Sequence, residues 1–272
     1  MAKKVNNKMS YDIYISSKIN KDFKRVVSVA TKQRLNIEIK TFVKNRNLDN
    51  VESILPVYKD ILKNFSGKLS MHGAFTGLCP VSNKVKIKEK TIYRFNQTID
   101  IAKELNVKVI VFHSGIDTFP GSYYEDTDFI KWFIDNQVEF WSEFIKELEN
   151  LEITAVLENT SEKSPDILRT VIERVNSDYL KLCIDAGHVN HKTGYDVSEW
   201  IKQTGKNLYH MHLHNNYRLL DDHNSLLKGT IDFTKVFSTL KELNLHPGLS
   251  LEINDYKATM ESLNFVREQL EN

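Results

Sequence analysis

The sequence contains few of the residues that mark several protein classes. Its two cysteines, Cys79 and Cys183, lie far apart in the 272-residue chain, so we expect no disulfide framework. No apolar run approaches the ~20 residues that a helix needs to cross a bilayer. The polar residues 1–10 are not followed by the apolar segment of a signal peptide. These absences predict a cytoplasmic protein in a reducing setting, with no membrane partner.

An excess of charge of either sign is also missing. The chain has 37 basic and 36 acidic residues, a net charge of +1. Such a balance provides no overall field that would collect nucleic acid, anionic membranes or acidic partners, so any anion binding must be local. Glycine is scarce as well, and no glycine-rich phosphate loop follows an early strand, as an open, doubly wound sheet would normally require.

Eight short β-branched or apolar runs recur through the chain. They are residues 11–16, 35–39, 68–72, 107–113, 153–158, 181–185, 208–214 and 249–252. Helical periodicity separates them, as in Ile92, Phe95 and Ile99. Alternating strands and helices predict parallel strands, and no linker divides the chain. We predict an α/β protein with a single (β/α)8 TIM barrel domain over residues 1–272, with the open sheet as the alternative.

Imidazoles and carboxylates end or follow the predicted strands three to eight, and the C-terminal ends of barrel strands converge on one mouth. They are His72, His113, Glu158, Asp185, His188, His210, His212, His214, Asp221, His223 and Glu252. Crowded carboxylates repel one another unless cations neutralise them, and neutral imidazoles commonly accompany such cations. The pattern predicts a polynuclear metal site, with a metal-free network as the alternative. We expect His210 to lie deeper, in the core.

Seven stretches resemble the xylose-isomerase-like barrels, which include endonuclease IV (AP endonuclease family 2) and many sugar or sugar-phosphate isomerases and epimerases. They are residues 72–75, 112–115, 157–160, 184–188, 212–216, 221–223 and 229–233. Each stretch is weak alone, but their order and their placement at strand ends are specific. The resemblance covers the chain from the third strand to its end.

The resemblance implies nine ligands of an endonuclease-type trinuclear zinc centre, with Glu158 bridging two metals. The nine are His72, His113, Glu158, Asp185, His188, His212, Asp221, His223 and Glu252. In the isomerase and epimerase branch, the residues that correspond to Glu158, Asp185, His212 and Glu252 hold the main metal, and the two glutamates flank the reacting carbon. We expect two or three divalent ions of zinc, or of manganese, cobalt or magnesium.

Two positions depart from the pattern of the family. Many relatives have aspartate where this chain has Asn215, and a second glycine where it has Leu227. Both positions flank the segment that contains Asp221 and His223. We therefore expect this loop to be set differently.

Two reactions fit such a site. The first is isomerisation or epimerisation of a small-molecule sugar or sugar phosphate, in which Glu158 and Glu252 move a proton next to a metal-polarised carbonyl. His214 and Arg218 are the expected substrate contacts, since a guanidinium offers directed bonds. The alternative is phosphodiester hydrolysis in abasic-site DNA.

Different features favour each reaction. The complete ligand set favours hydrolysis, because proton transfer does not need three metals. The near-zero charge and the short connection after the first strand favour the sugar enzyme, since gripping a duplex requires several basic loops. We prefer the sugar enzyme. Dehydration of a sugar-like acid and non-catalytic binding are further alternatives.

Overall fold

Eight parallel strands form a closed barrel in the computed structural model, which describes residues 11–271. Each strand pairs with the next in sequence, and β8 pairs with β1. The strands are β1 (Ile13–Ser16), β2 (Asn36–Ile39), β3 (Leu69–His72), β4 (Val109–His113), β5 (Thr154–Glu158), β6 (Leu180–Asp185), β7 (Leu208–Leu213) and β8 (Gly248–Leu251). Closure between β8 and β1 confirms the predicted TIM barrel and excludes the open sheet.

Helices cover the outside of the barrel. They are α1 (Phe23–Gln33), α2 (Asn45–Leu48), α3 (Val51–Leu62), α4 (Val85–Glu104), α5 (Thr127–Asn150), α6 (Pro165–Val175), α7 (Ala186–His188), α8 (Val197–Thr204), α9 (Phe233–Glu242) and α10 (Tyr256–Glu271). Ser164 caps α6, because its side chain accepts a hydrogen bond from the Asp166 amide while Pro165 opens the helix. Within residues 11–271, no helix is long and apolar enough to span a bilayer.

Strand alternation divides the buried side chains into two sets. Val109, Val111, Val156 and Cys183 form a separate small cluster. They lie two or four residues from His113, Glu158 or Asp185, so they share the face of these strands that points into the barrel. The intervening apolar residues, such as Phe112, pack against the helices instead. On β4, β5 and β6 the polar strand ends therefore lie directly above apolar side chains.

The ends of the strands decide what reaches the mouth. Six strands end at the predicted residue, from Ser16 of β1 to Asp185 of β6. β7 and β8 end one residue earlier than predicted, at Leu213 and Leu251. His214 and Glu252 consequently begin the loops that follow.

Gly77, in the loop after β3, and Gly115, in the loop after β4, should respond differently to substitution by alanine. Gly115 has φ +82°, and a Cβ atom added there would lie 2.7 Å from the Cα atom of Cys79. Gly77 has φ +65°, and its added Cβ would meet no atom of residues 11–271 within 4 Å. Gly77→Ala should cost only the roughly 1–2 kcal/mol of a left-handed L-residue. Gly115→Ala should lower the free energy of unfolding further, because backbone must move. Equal losses in urea titrations would contradict this packing.

Candidate metal centre

Glu158 joins the two halves of a group of buried side chains at the barrel mouth. Its Oε2 atom lies 3.1 Å from Nε2 of His72 and 3.0 Å from Nε2 of His113. Its Oε1 atom lies 3.2 Å from Nδ1 of His212. A carboxylate that presents one oxygen to each of two nitrogen sets can serve two cations at once. The arrangement is compatible with the bridging role that the resemblance implies for Glu158, which stays a prediction.

A second group of ligand atoms surrounds His212. Its Nδ1 atom lies 2.9 Å from Oε2 of Glu252 and 3.6 Å from Oδ2 of Asp185. Together with Glu158, these residues offer four ligand atoms that all lie within 4.8 Å of one another. All four side chains are buried. Three carboxylates and one imidazole suit a hard or borderline divalent ion. We call these four residues the inner group.

A third set lies nearer the solvent and includes the long loop between β7 and α9. Asp221 Oδ2 lies 3.1 Å from Nε2 of His223 and 3.5 Å from Nε2 of His188. The Asp221 side chain is 33% exposed, in contrast to the buried inner group. We call His188, Asp221 and His223 the outer group. The structure thus brings all nine predicted ligands into one continuous network.

Backbone carbonyls fix the imidazoles of three predicted ligands. Nδ1 of His72, His188 and His223 lies 2.9, 2.9 and 2.8 Å from the carbonyl oxygens of Gly73, Asn159 and Glu252, respectively. Because a carbonyl can only accept, Nδ1 of each ring donates the hydrogen bond and Nε2 is left for a cation. A hydrogen bond from the ring nitrogen that faces away from the ion is typical of histidines that bind metals.

His113 provides a further test of whether the residues fit metal ions. Its Nε2 atom lies 3.0 Å from Glu158, yet neither ring nitrogen makes a well-formed hydrogen bond within residues 11–271. A buried polar atom without a partner is costly. A cation placed between this nitrogen and the carboxylate would satisfy both. The side chains of His113 and Glu158 are therefore compatible with a divalent ion bound between them.

Electrostatics favour the charged forms of these side chains. Burial alone would raise the pKa of Glu158 and Glu252, yet nearby cationic groups, His212 among them, hold both well below the ordinary value. Burial would lower the pKa of His188, but carboxylates, above all Asp185, raise it to about 10. The carboxylates are therefore ionised at neutral pH. His188 therefore carries a proton that a bound cation would displace.

Glu38 and Lys40, at the end of β2, belong to the site but were not predicted from the sequence. Glu38 is fully buried, and its Oε2 atom lies 3.1 Å from Nε2 of both His210 and His212. Lys40 Nζ lies 3.4 Å from Glu38 Oε1 and also contacts Oε1 of Glu252. The available signal in the sequence was a charged residue, Glu38, within an apolar strand. A second charged residue, Lys40, follows it two positions later on the same face. His210 is buried, as predicted.

Glu38 determines which nitrogen of His212 faces the inner group. The carboxylate can only accept when ionised, and the pKa of Glu38 lies well below its ordinary value although burial opposes this. Nε2 of His212 therefore donates to Glu38, which leaves Nδ1 directed at Glu158, Asp185 and Glu252. A carboxylate behind an imidazole is a common way to orient a metal ligand.

The two predicted substrate contacts lie in different surroundings. His214 is fully buried, and its Nε2 atom lies 3.0 Å from Oδ1 of Asp185. It thus lies within the ligand network and away from the open rim. Arg218 is exposed, has a left-handed φ of 72°, and its Nε atom donates to Asn190 at 3.3 Å. Contact of either residue with a substrate stays a prediction.

Asn215 holds the loop that presents Asp221 and His223. Its Oδ1 atom accepts a hydrogen bond of 3.0 Å from the Ile231 amide, and its Nδ2 atom donates to the Ile231 carbonyl at 3.2 Å. Its backbone also pairs in both directions with that of Asn224. An aspartate, which lacks the Nδ2 donor, could not make both side-chain bonds. The departure from the family pattern thus has a local structural role.

Proteins of known structure share this fold at low sequence identity. A D-tagatose 3-epimerase-like protein is 21% identical, covers 96% of this chain and 97% of its own, and has a TM-score of 0.74. A Thermus thermophilus protein soaked with zinc chloride is 22% identical, covers 95% and 97%, and has a TM-score of 0.78. An uncharacterized protein of Methanocaldococcus jannaschii is 24% identical over 221 residues, which are 78% of this chain and 73% of that protein.

Most of the sequence also matches the model of a protein family. The match, to the family described as xylose isomerase-like TIM barrel, covers residues 40–269. It extends from the residue after β2 into α10 and includes all nine predicted ligands. The chain therefore belongs to the xylose isomerase-like TIM barrel family.

Proposed function

We propose that the chain is a metal-dependent isomerase or epimerase of a sugar or sugar phosphate. The main support is the placement of Glu158 and Glu252. One oxygen of each belongs to the inner group, whose ligand atoms lie within 4.8 Å of one another. The two side chains come from the ends of β5 and β8, three strands apart in the barrel. Carboxylates that approach from different sides can remove a proton from a carbon and return one from the other side.

The inner group would hold the ion on which this chemistry depends. A divalent ion bound there would act as a Lewis acid that polarises the carbonyl and hydroxyl oxygens of the sugar. Lys40 contacts Oε1 of Glu252, which stabilises this carboxylate in its ionised, proton-accepting form. Oε2 of Glu252 faces His212. The two oxygens of Glu252 therefore have separate surroundings, one set by a cation of the protein and one by the ligand group.

The connections after β1 and β2 are short, which favours a small substrate, whereas the loop between β7 and α9 is long. β1 ends at Ser16 and α1 begins at Phe23, while β2 is followed directly by a 3-10 turn over Thr41–Val43. Gripping a nucleic acid duplex requires several projecting loops with phosphate contacts, and the chain has a net charge of only +1. The similarity to a D-tagatose 3-epimerase-like protein supports the same class of substrate.

One observation favours phosphodiester hydrolysis as a second candidate. His188, Asp221 and His223 extend the inner group by a set of residues that could hold a third cation. Proton transfer beside a carbonyl does not need this ion, whereas clustered metals serve phosphate chemistry well. The outer group thus keeps abasic-site DNA as an alternative substrate.

The ligand network predicts the metal content. The purified protein should hold at least two equivalents of zinc, manganese, cobalt or magnesium in total, and removal by a chelator should abolish activity. Because ions must displace protons from groups such as His188, metal affinity should fall as the pH is lowered from about 8 to about 6. Elemental analysis and binding titrations would measure both effects. A metal-free protein that is fully active in chelator would contradict the proposal.

The two glutamates should matter more than the outer group. Glu158→Gln and Glu252→Gln should each lower the turnover number by at least ~100-fold, the usual loss for a general acid or base. His223→Ala should lower it less. Glu162→Gln is a matched control, since Glu162 is equally buried but hydrogen bonds to Ser114 and not to a predicted ligand. Equal and total loss in Glu158→Gln, Glu252→Gln and His223→Ala would favour hydrolysis.

Two assays on one metal-reconstituted preparation should separate the candidate functions. We expect solvent deuterium to enter a carbon next to the carbonyl of at least one member of a panel of ketoses and their phosphates, including D-tagatose and D-fructose. We expect no incision of a duplex with one abasic site, since few phosphate contacts are available. The Glu158→Gln protein is the control in both assays. Incision that this variant abolishes, without exchange in any sugar, would reverse the order of the candidates.

A further inference from the structure

We infer that the N-terminal end of the barrel binds a small hydroxylated anion, such as a sugar phosphate, in a cavity separate from the metal centre. Within residues 11–271 this cavity has a volume of about 820 Å³, which lies in the range of small-molecule sites. It is lined by residues at or just before the starts of β1, β3, β4, β7 and β8. The nine predicted ligands lie at or beyond the C-terminal ends of the strands, and none of them lines the cavity. The cavity is therefore a site beyond the proposed function.

Two buried polar side chains from the barrel interior line the cavity. They are Tyr14 of β1 and His210 of β7, which are only 4% and 1% exposed. Their rings meet edge to face, with 5.2 Å between centroids. Neither the Tyr14 hydroxyl nor Nδ1 of His210 makes a hydrogen bond within residues 11–271, although both atoms keep some accessible surface. Buried side chains with unpaired polar atoms beside a cavity indicate that a ligand completes their bonding.

Gly248, the first residue of β8, keeps the space beside these two groups open. A Cβ atom there would lie 2.5 Å from Nδ1 of His210 and 3.2 Å from Cε2 of Tyr14. Nε2 of His210 donates to the Glu38 carboxylate at 3.1 Å, so Nδ1 of the neutral ring can only accept, whereas the Tyr14 hydroxyl can donate. An acceptor and a donor beside one open space suit a ligand hydroxyl, which donates and accepts.

The rim of the cavity is positively charged. Lys68, Lys108 and Lys206 line it, and Asp12 is the only carboxylate among its lining residues in the described part of the chain. Lys68 pairs with Asp12 at 2.6 Å. Lys108 and Lys206 form no ion pair within residues 11–271. Two uncompensated ammonium groups near a hydroxyl-binding floor favour a ligand that carries a phosphate or carboxylate as well as hydroxyls.

Apolar and aromatic side chains form much of the remaining wall. Phe65, Leu69 and Leu105 line the cavity, as does Tyr209. The Tyr209 side chain is 42% exposed. Mostly apolar walls with a few polar groups that fix orientation are typical of sites for small molecules. The C–H faces of a sugar could pack on these walls while its charged group stays at the rim.

Titration calorimetry with D-fructose 6-phosphate tests the inference without an assay of turnover. The full-length protein would be titrated with and without a chelator, and we expect saturable binding that survives chelation. Replacing both rim lysines, Lys108→Gln with Lys206→Gln, should weaken this binding by about 10-fold or more, since charge-assisted bonds are lost. Tyr14→Phe removes only the hydroxyl and should weaken it by about 3–10-fold. D-fructose should bind more weakly than its phosphate.

A matched control is the pair Lys84→Gln with Lys86→Gln, which removes two exposed lysines at the start of α4, outside the cavity. This pair should leave binding unchanged, and far-UV circular dichroism would confirm that every variant folds. Binding that disappears in chelator, or that both the rim and floor variants retain in full, would overturn the inference. Inorganic phosphate that binds as tightly as the sugar phosphate would also overturn it, because surface lysines alone would then suffice. So would the absence of binding to the wild-type protein, the result expected if residues 1–10, which precede β1 at this face, fill the cavity.

Discussion

Mutual repulsion among buried carboxylates is the constraint on which the mouth of this barrel depends. Four buried acidic side chains meet there, Glu38, Glu158, Asp185 and Glu252, with the partly exposed Asp221 beside them. Buried charges are tolerated only when opposite charges and hydrogen bonds compensate for lost hydration. Imidazoles from four strands or the loops after them and one buried lysine supply this compensation. Divalent ions would supply more of it, which links the stability of the mouth to its chemistry.

The barrel does more than gather these groups, because it also sets the orientation of each ring. Backbone carbonyls accept from Nδ1 of His72, His188 and His223, whereas Glu38 accepts from Nε2 of His212. Each bond selects the nitrogen that faces the carboxylates. Such preorganisation lowers the cost of binding an ion, since no ring must turn. The inner and outer groups are therefore two parts of one connected network, in which Glu158, Asp185 and His188 link them.

Much of this arrangement was predictable from local patterns. The period-two alternation of β-strands and the C-terminal rule for barrels identify Glu158, Asp185 and His212 from their positions alone. The six strand ends that agree with prediction show why, because a buried strand ends where polar residues begin. The predicted ends of β7 and β8, at His214 and Glu252, were each one residue too late. At both places, polar side chains continue the strand alternation one residue beyond the end of the strand.

Sequence by itself predicted the barrel, the order of its strands and the set of candidate ligands at their ends, because these depend on spacing along the chain. Only the tertiary structure decided the burial and the contacts of Glu38, Lys40 and His214. Glu38 and Lys40 are buried because partners from β7 and from the end of β8 reach them inside the barrel. Glu38, for example, forms a hydrogen bond with His210, which is 172 residues away in the sequence. His214 is buried because Gly187 leaves room for its ring. Burial of a charge depends on partners distant in sequence, and no local pattern records them.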